Sequence, residues 1–252
     1  MVIGLGALMP FMTRYGLLAQ PKLPYARLTI GHAFTAFTII EQIRRAAHDN
    51  AIDLRTTPIA ICGAAGSTGS ATARGLIELM RDQIGQLLLI DIRGERNEAL
   101  AAELRAIAPE VKIQTSTDLH DMRTARLSVV VTNAPDAIIT ADHLAPDAIV
   151  LDDSQPRNTS PDLLAQRPDV RIYDVLARVP GLDVHFDWGL VRDDPSITFT
   201  CLAETIALAH VNRMELCTVG HVSGARVRQV GEVATAQGIT PAPWTSFYVH
   251  TE

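Results

Sequence analysis

Four apolar residues, Ile59 to Cys62, run directly into three glycines spaced three residues apart, and a helical pattern follows. Glycine at the first position lets the chain turn sharply, at the second it lets another group approach the backbone, and at the third it lets the new helix pack closely. The free N–H groups at the start of that helix would face phosphates. The spacing is typical of a dinucleotide-binding turn, although tight strand-to-helix turns also use glycine for structural reasons alone. The predicted cofactor contacts in this turn are Gly63, Ala65, Gly66, Ser67, Thr68 and Gly69.

A second apolar run, Leu87 to Ile90, ends in Asp91, which follows Gly69 by 22 residues. This is the usual place of the carboxylate that binds the cofactor ribose, so Asp91 favours NAD. Arg93, two residues further on, is placed to bind a 2′-phosphate and favours NADP. The structural alternative is that both residues form a solvated strand end.

The composition describes a globular protein without an electrostatic preference for nucleic acid. The chain has 252 residues, of which 47% are hydrophobic, and a formal net charge of −6. A negative net charge disfavours nucleic acid as a partner. The three cysteines have no paired spacing, which fits a reducing cytoplasm. The apolar run from Val2 to Met12 lacks the basic and small-residue flanks of a signal peptide, and at about eleven residues it is too short to span a bilayer. We therefore expect a cytoplasmic protein without a transmembrane segment.

The order of the elements predicts an α/β fold. Amphipathic periodicity predicts a helix over 35–50, and apolar runs alternate with helical patterns after it. The predicted strands are 59–62, 87–91, 111–115, 127–132, 148–151 and 170–173, and the further helices are 67–81, 95–107, 199–214 and 222–237. This pattern favours a Rossmann-type, doubly wound parallel sheet with a small helical layer formed by the N- and C-terminal segments.

The same pattern predicts three parts. They are an N-terminal helical segment over 1–50, a dinucleotide-binding domain over 51–195, and C-terminal helices over 196–252 that close a substrate cleft. Asn133 and Ala134, just after the fourth strand of the sheet, lie where ribose contacts usually fall.

Cys201 is the candidate nucleophile. It lies near the predicted start of a helix, whose positive end would lower the pKa of the thiol and favour the thiolate. Glu204, one turn later, would oppose that shift if its carboxylate faced the sulfur. The alternative is a buried cysteine that only packs, and we expect Cys62 and Cys217 to be core residues of that kind.

Histidines supply two further candidates. The segment Asp183 to Trp188 places His185 between two acids, but a third fixed metal ligand is lacking, so no metal site is predicted. His185 is a candidate proton donor, and His32, at the start of the first helix, is another.

Several segments together resemble the cyanobacterial long-chain acyl-[acyl-carrier-protein] reductases. Gly63 to Ser70 resembles the family's Gly-Ala-Thr-Gly-Asp-Ile-Gly-Ser turn, and Asp152 to Asn158 resembles its Asp-Gly-Gly-Tyr-Pro-Lys-Asn segment. Phe199 to Glu204 resembles its Phe-Ala-Cys-Phe-Ala-Glu segment, in which the cysteine is acylated. Gly31 to Phe37 resembles a further segment, in which His32 stands where the family has asparagine and Phe34 where it has histidine. The resemblance begins near Gly4, and the family's N-terminal region has no counterpart in this sequence.

The resemblance implies an activity, a cofactor and partners. It implies an NAD(P)H-dependent reductase that converts an acyl thioester to an aldehyde through an acyl group on Cys201. Arg93 keeps the family's arginine while Asp91 replaces an uncharged residue, which puts NADP ahead of NAD. The expected partners are an acyl-carrier protein or acyl-CoA and an aldehyde-consuming enzyme, and Arg213, Arg226 and Arg228 are candidates for carrier docking. The alternatives are a dehydrogenase of a small hydroxy or keto acid, and a nucleotide-binding protein without catalysis.

Overall fold

A six-stranded parallel sheet forms the centre of the molecule. The computed structural model describes residues 1–183, 190–191 and 194–251. Its strands are β1 (Val2–Gly4), β2 (Arg27–Thr29), β3 (Ile59–Cys62), β4 (Gln86–Ile90), β5 (Lys112–Ser116), β6 (Leu127–Val130), β7 (Ile149–Asp152), β8 (Arg171–Asp174), β9 (Leu176–Arg178), β10 (Ile197–Phe199), β11 (Thr240–Pro241), β12 (Thr245–Ser246) and β13 (Val249–His250). The α-helices are α1 (Met9–Met12), α2 (His32–Asp49), α3 (Ser67–Met80), α4 (Gly94–Ile107), α5 (Pro161–Gln166), α6 (Thr200–His210) and α7 (Gly224–Thr235).

The strand order of the central sheet is β5-β4-β3-β6-β7-β8, and every pairing in it is parallel. In register, Ile61 of β3 lies between Leu89 of β4 and Val129 of β6. The order reverses direction at β3, so the carboxyl ends of β3 and β6 flank the crevice in which ligands of such sheets bind. The α/β class and the Rossmann-type sheet are as the sequence predicts.

The two faces of the sheet are covered differently. The long helices α2, α3, α4, α6 and α7 share one apolar core with residues such as Ile61 and Leu89. The other face packs Cys62 and Ile90 against Met122 and Leu163, which belong to a 3-10 helix (Leu119–Thr124) and to α5. Burying one such aliphatic side chain contributes roughly 1.5–3 kcal/mol. Helices α2 and α7 pack against α3, and α6 packs against α2 and α7, which together form the predicted helical layer.

Helix α2 begins three residues before its predicted start. Gly31 precedes it with a φ of +74°, and the Phe34 N–H in its first turn donates to the Glu204 carboxylate at 2.8 Å. A carboxylate at a helix N-terminus satisfies N–H groups that have no partner within the helix. The partner lies 170 residues away in sequence, so periodicity alone could not reveal this start.

Small sheets surround the central one. Strands β1 and β2 pair in parallel, β9 pairs with β10 and β11, and β12 with β13 forms a hairpin. Strands of two or three residues are too short to show a sequence period, and none of these small sheets was predicted. Within the described ranges, none of the helices combines the length and the apolar character of a membrane span.

Candidate active site

The glycine turn connects β3 to α3 and leaves no space for side chains at its three glycines. Gly63 has a φ of +88°, and a Cβ atom there would lie 2.7 Å from the Val131 carbonyl oxygen. A Cβ on Gly66 or Gly69 would lie 2.9 Å or 2.2 Å from the Gly63 carbonyl oxygen. These distances are below any that real Cβ atoms tolerate. The backbone segments of the turn therefore lie so close together that only glycine fits at these three positions.

The first turn of α3 offers unpaired donors. Gly66 occupies the N-cap position and provides no side-chain hydrogen bond. Among the described residues, no acceptor pairs with the backbone N–H groups of Ser67, Thr68 or Gly69. A helix N-terminus with free N–H groups is an anion site, so the residues present fit a dinucleotide diphosphate.

Asp91 and Arg93 form one unit beside this turn. The buried Asp91 carboxylate accepts two hydrogen bonds from the Arg93 guanidinium, both at 2.9 Å, and one from the Ala65 N–H at 3.0 Å. Burial opposes ionisation of Asp91, but the bonds from Arg93 and Ala65 outweigh it and hold the pKa of the carboxyl below its usual value. A Cβ at Gly66 would lie 3.7 Å from the guanidinium, so Arg93 reaches over the turn. The two residues are paired and are not a solvated strand end.

The predicted contacts after β6 lie in a short loop at the same edge. Asn133 is exposed, and the Ala134 N–H donates to the Thr132 hydroxyl at 3.1 Å. The Asn158 amide donates to the Ala134 carbonyl at 3.1 Å, and its oxygen accepts from the Thr132 hydroxyl. Thr132 and Asn158 thus hold the loop that presents Asn133.

Cys201 lies in the first turn of α6, against two glycines. A Cβ at Gly31 would lie 2.3 Å from the Cys201 Cβ, and one at Gly6 would lie 3.6 Å from the sulfur. Only glycine permits the contact at Gly31, where φ is also positive. The start of α2 and the N-terminal segment therefore enclose the thiol, which is half-buried.

The pKa of Cys201 moves in the direction opposite to the prediction. Burial raises the pKa of the thiol to about 12, and the nearby carboxyl groups of Asp153 and Glu204 act in the same direction. The backbone N–H groups of Leu202 and Cys201 face the sulfur and lower the pKa, as expected at a helix start, but by less. Desolvation therefore changes the pKa of the thiol more than the N–H groups at the helix start do.

Glu204 follows Cys201 by about one turn of α6, and its side chain joins α6 to α2. Its fully buried carboxylate accepts from the Phe34 N–H and the Thr29 hydroxyl, and the backbone of Gly31 and Ala33 also faces it. Burial raises the pKa of Glu204, and these bonds partly offset the rise. The carboxylate fixes Gly31 against Cys201.

His32 and Tyr15 connect the thiol region to the glycine turn. His32 follows Gly31, and its Nδ1 lies 2.7 Å from the Ser67 hydroxyl oxygen at the start of α3. Burial lowers the pKa of His32 to about 4, so the ring is neutral at physiological pH. The Tyr15 ring meets His32 edge-on at 6.3 Å, and its hydroxyl lies beside the Arg93 guanidinium. Sequence analysis missed Tyr15, which lies outside any motif.

The other predicted candidates lie elsewhere. Cys62 is buried in β3 and Cys217 is half-buried against the core; burial raises their pKa values to about 12 and about 11. His185, with most of its segment, falls outside the described residues. In the described part of the chain, no three His, Cys, Asp or Glu side chains are grouped to hold a metal ion.

The three candidate docking arginines are engaged locally. Arg213 pairs with Glu215, and Arg228 pairs with Glu78 at 2.9 Å. Arg226 donates to the Glu215 carbonyl at 2.9 Å. Two of the three charges are therefore paired with carboxylates, whereas Arg226 is held by a neutral carbonyl and keeps its charge.

No protein-family model matches the chain. The aminotransferase PigE of Serratia sp. (strain ATCC 39006) is 25% identical over 257 residues, which cover 98% of this chain and 28% of PigE. A long-chain acyl-[acyl-carrier-protein] reductase of Synechococcus elongatus is 37% identical over 82 residues, which cover 32% of this chain and 24% of the reductase. The chain thus spans about a quarter of the length of the curated relatives it matches.

Solved structures match parts of the fold. Shikimate 5-dehydrogenase from Listeria monocytogenes, in complex with shikimate and NAD, has a TM-score of 0.40 at 16% identity, over 59% of this chain and 53% of that one. The YhdH oxidoreductase from Salmonella enterica, in complex with NADP, has a TM-score of 0.38 at 15% identity, over 57% of this chain and 43% of that one.

Proposed function

We propose that the chain is an NAD(P)H-dependent reductase that converts an acyl thioester to an aldehyde through an acyl group bound to Cys201. One observation carries the proposal: consecutive residues join the thiol to the phosphate-binding turn. Gly31 contacts Cys201, and His32 contacts Ser67 in the first turn of α3. The similarity of part of the chain to a long-chain acyl-[acyl-carrier-protein] reductase supports the thioester as substrate.

The thiol supplies the covalent step. Cys201 loses its proton, its sulfur forms a bond to the acyl carbonyl carbon, and the bond to the carrier sulfur breaks as the proton reaches the leaving thiolate. The Leu202 and Cys201 N–H groups face the sulfur and stabilise the charge that develops there. A reduced nicotinamide, when bound, would supply the hydride that the acyl carbonyl carbon needs. The bond from that carbon to the Cys201 sulfur then breaks, the aldehyde is released, and the Cys201 thiolate takes up a proton from solvent.

The turn and the Asp91–Arg93 pair hold the cofactor in this proposal. The N–H groups of Ser67, Thr68 and Gly69 bind its diphosphate, and Asn133 with Ala134 contacts it beyond β6. Arg93 neutralises Asp91, so a 2′-phosphate meets a guanidinium and not a free carboxylate. This arrangement favours NADPH over NADH.

The N-terminal segment supports an apolar acyl chain. Gly6 lies beside the Cys201 sulfur, and the residues just after it include Leu8, Met9 and Phe11, whose side chains are exposed. Apolar groups exposed together mark a surface that meets an apolar partner. We assign the acyl chain to this surface, with a carrier protein or CoA as donor in the cytoplasm and an aldehyde-consuming enzyme as recipient.

One observation favours a second candidate, a dehydrogenase of a small hydroxy or keto acid. The Cys201 thiol is half-buried and its pKa is raised to about 12, as in a cysteine that only packs. In that case the Cys201→Ala variant keeps full activity.

Intact-protein mass spectrometry separates the two candidates. Wild type and Cys201→Ala are incubated with acyl-CoA and acyl-carrier thioesters without cofactor, and NADPH is then added. We expect an acyl adduct on wild type alone, and its discharge as aldehyde with NADPH. Cys62→Ala, which removes a buried thiol of the sheet, is the matched control and should acylate like wild type.

The absence of an adduct on wild type across a broad set of thioesters, with cofactor still bound, would contradict the reductase and favour the dehydrogenase. An adduct that persists in Cys201→Ala would place the nucleophile elsewhere.

A further inference from the structure

Large apolar side chains are exposed in one short stretch of the sequence. They are Leu8, Met9, Phe11, Met12, Leu17, Leu18 and Tyr25, of which Met12 is 71% exposed and Tyr25 is 91% exposed. In the rest of the described ranges, exposure of this kind is confined to Met1, Ile92, Ile107, Val211 and Val249, the last four of which are scattered along the sequence. Apolar side chains that are exposed together mark a surface that another body covers.

Unpaired cations lie among these side chains. Arg14, Lys22 and Arg27 are exposed, and the ion pairs formed by the described residues include none of them. The sequence has no acidic residue before Glu41, although the whole chain has a net charge of −6. We call these three cations, together with the exposed apolar side chains of residues 8–25, the basic apolar surface.

The backbone holds this surface in place. The Gln20 side-chain amide donates to the Ala26 carbonyl at 2.9 Å, and its oxygen accepts from the N–H of the buried Leu28 of β2 at 2.8 Å. The Gly220 N–H donates to the Tyr15 carbonyl at 2.7 Å, which joins the surface to the segment before α7. The exposed apolar side chains therefore belong to an anchored part of the fold.

The segment before α7 does not cancel the positive charge of the surface. It contains Glu215, which is paired with Arg213. Arg226, in the first turn of α7, donates to the Glu215 backbone carbonyl and keeps its charge. The surface and its surroundings thus favour an anionic partner.

A single acyl chain is too narrow to cover the basic apolar surface. An acyl chain bound at Cys201 passes along one line of side chains, whereas the exposed apolar groups continue along the sequence through Leu17 to Tyr25. A hydrocarbon chain also has no charge to meet Arg14 or Lys22. The partner of this surface must therefore be broad, apolar and anionic.

A membrane that contains anionic lipids has this chemistry. Its phosphates lie directly above its acyl chains, so neighbouring cations and apolar side chains bind both layers at once. In the sequence Arg14 lies between Met12 and Leu17, and Lys22 lies three residues before Tyr25. Tyrosine is a side chain that the interface of a membrane favours. The apolar centre of a protein–protein interface is instead depleted of charged groups, which here are interspersed.

We propose that the basic apolar surface is a peripheral docking site for a membrane of anionic lipids. Its apolar side chains enter the headgroup region, and Arg14, Lys22 and Arg27 bind lipid phosphates. This inference goes beyond the proposed function and does not depend on it. In the proposed reductase, docking would bring Cys201 close to the membrane, because Gly6 beside its sulfur precedes the surface by two residues.

The test is flotation of the full chain with vesicles on a density gradient, in which bound protein rises and aggregated protein sinks. One set of vesicles is phosphatidylcholine alone, and the other is equal parts of phosphatidylcholine and phosphatidylserine. The first double variant is Phe11→Ser with Met12→Ser, and the second is Arg14→Gln with Lys22→Gln. The matched controls are Ile107→Ser and Arg81→Gln, at exposed positions outside the surface. Urea unfolding confirms that each variant folds.

Wild type should float with the phosphatidylserine vesicles, and high salt should weaken this binding. Arg14→Gln with Lys22→Gln should lower the partition coefficient about 10- to 30-fold, since each cation near anionic lipid contributes about fivefold. Phe11→Ser with Met12→Ser should lower it about 10-fold or more at low and at high salt, because the apolar contribution is not screened. Both controls should float like wild type.

Three results would overturn the proposal. A wild type that floats with neither set of vesicles has no membrane site, and if it binds an acyl-carrier protein through these same residues, the partner of the surface is a protein. Loss of binding in the charge variant alone would show attraction without insertion. Binding that survives in both double variants would place the contact elsewhere. Acylation of Cys201 in solution tests the proposed function separately, so each of the two can fail alone.

Discussion

At the scale of single residues, burial and close partners change the chemistry that a motif predicts. Cys201 lies at a helix start, as its sequence position indicates, yet desolvation raises the pKa of its thiol. Asp91 and Arg93 predict different cofactors when considered separately, and they form one ion pair in the fold. The sequence predicts that these three residues belong to the site. It does not predict their protonation or pairing, because these depend on burial and on the direction in which each side chain points.

Arg93→Gln should weaken the binding of NADPH more than that of NADH. A charge-assisted bond to a phosphate is worth about 1.5–3 kcal/mol, so we expect the Kd for NADPH to rise roughly 10- to 100-fold. The Kd for NADH should change less, because the ribose carboxylate is freed by the same substitution. Titration of the protein against the fluorescence of each reduced cofactor gives both constants.

Equal losses for the two cofactors would show that Arg93 acts by positioning Asp91 and the Ala65 N–H, and not by contacting a 2′-phosphate.

At the scale of elements, the helices and strands of the central sheet follow from periodicity, and their ends do not. The predicted helix over 199–214 ends at His210, and Asn212 then takes a left-handed conformation with a φ of +55°. The start of α2 depends on Glu204, and the short strands β9 to β11 depend on each other. These features are set by tertiary contacts between distant parts of the chain, which the period of a local window does not contain.

Gly69→Ala should disrupt the connection between β3 and α3. The added Cβ would lie 2.2 Å from the Gly63 carbonyl, so the helix must move away from the strand. Overpacking of this kind costs about 1–3 kcal/mol, and the shifted N–H groups lose cofactor affinity as well. Urea unfolding measures the first effect and cofactor titration the second.

Gly94→Ala is the matched control for this substitution, because Gly94 also begins a helix after a strand. A Cβ there would lie 3.4 Å from a Thr117 methyl group, which is an ordinary contact. If both variants bind cofactor like wild type, the close approach at Gly69 is not what the site requires.

At the scale of the whole molecule, one apolar core runs from the sheet through the helical layer, with Ile61, Ile39 and Val227 all fully buried in it. The division into three parts over 1–50, 51–195 and 196–252 stays a prediction. Glu204 lies on α6, is buried inside this layer and accepts from the Phe34 N–H of α2, so the stability of the layer should respond to the titration of Glu204.

Glu204→Gln should change how the free energy of unfolding depends on pH. The pKa of Glu204 is higher in the folded chain than in the unfolded chain, so the folded state binds more protons above pH 4.5. Its contribution to stability is therefore greatest below that pH and is lost as the pH rises through the folded pKa. The free-energy difference between wild type and Glu204→Gln, measured by urea unfolding, should shrink as the pH is raised above 4.5.

A difference that grows with pH would mean that the bonds to Phe34 and Thr29 favour the carboxylate more than burial opposes it. Glu110→Gln, in the exposed turn after α4, supplies the baseline for a carboxyl outside the layer.

The raised pKa values of the three thiols have a consequence for damage by oxidants. With pKa values of about 12, about 12 and about 11, Cys62, Cys201 and Cys217 are almost wholly protonated at neutral pH. Peroxide attacks thiolates and leaves thiols largely untouched. In the proposed reductase, a thiol that ionises only when substrate meets it is shielded from peroxide at all other times. We therefore expect the resting protein to resist oxidation that would inactivate an enzyme with a permanently ionised cysteine.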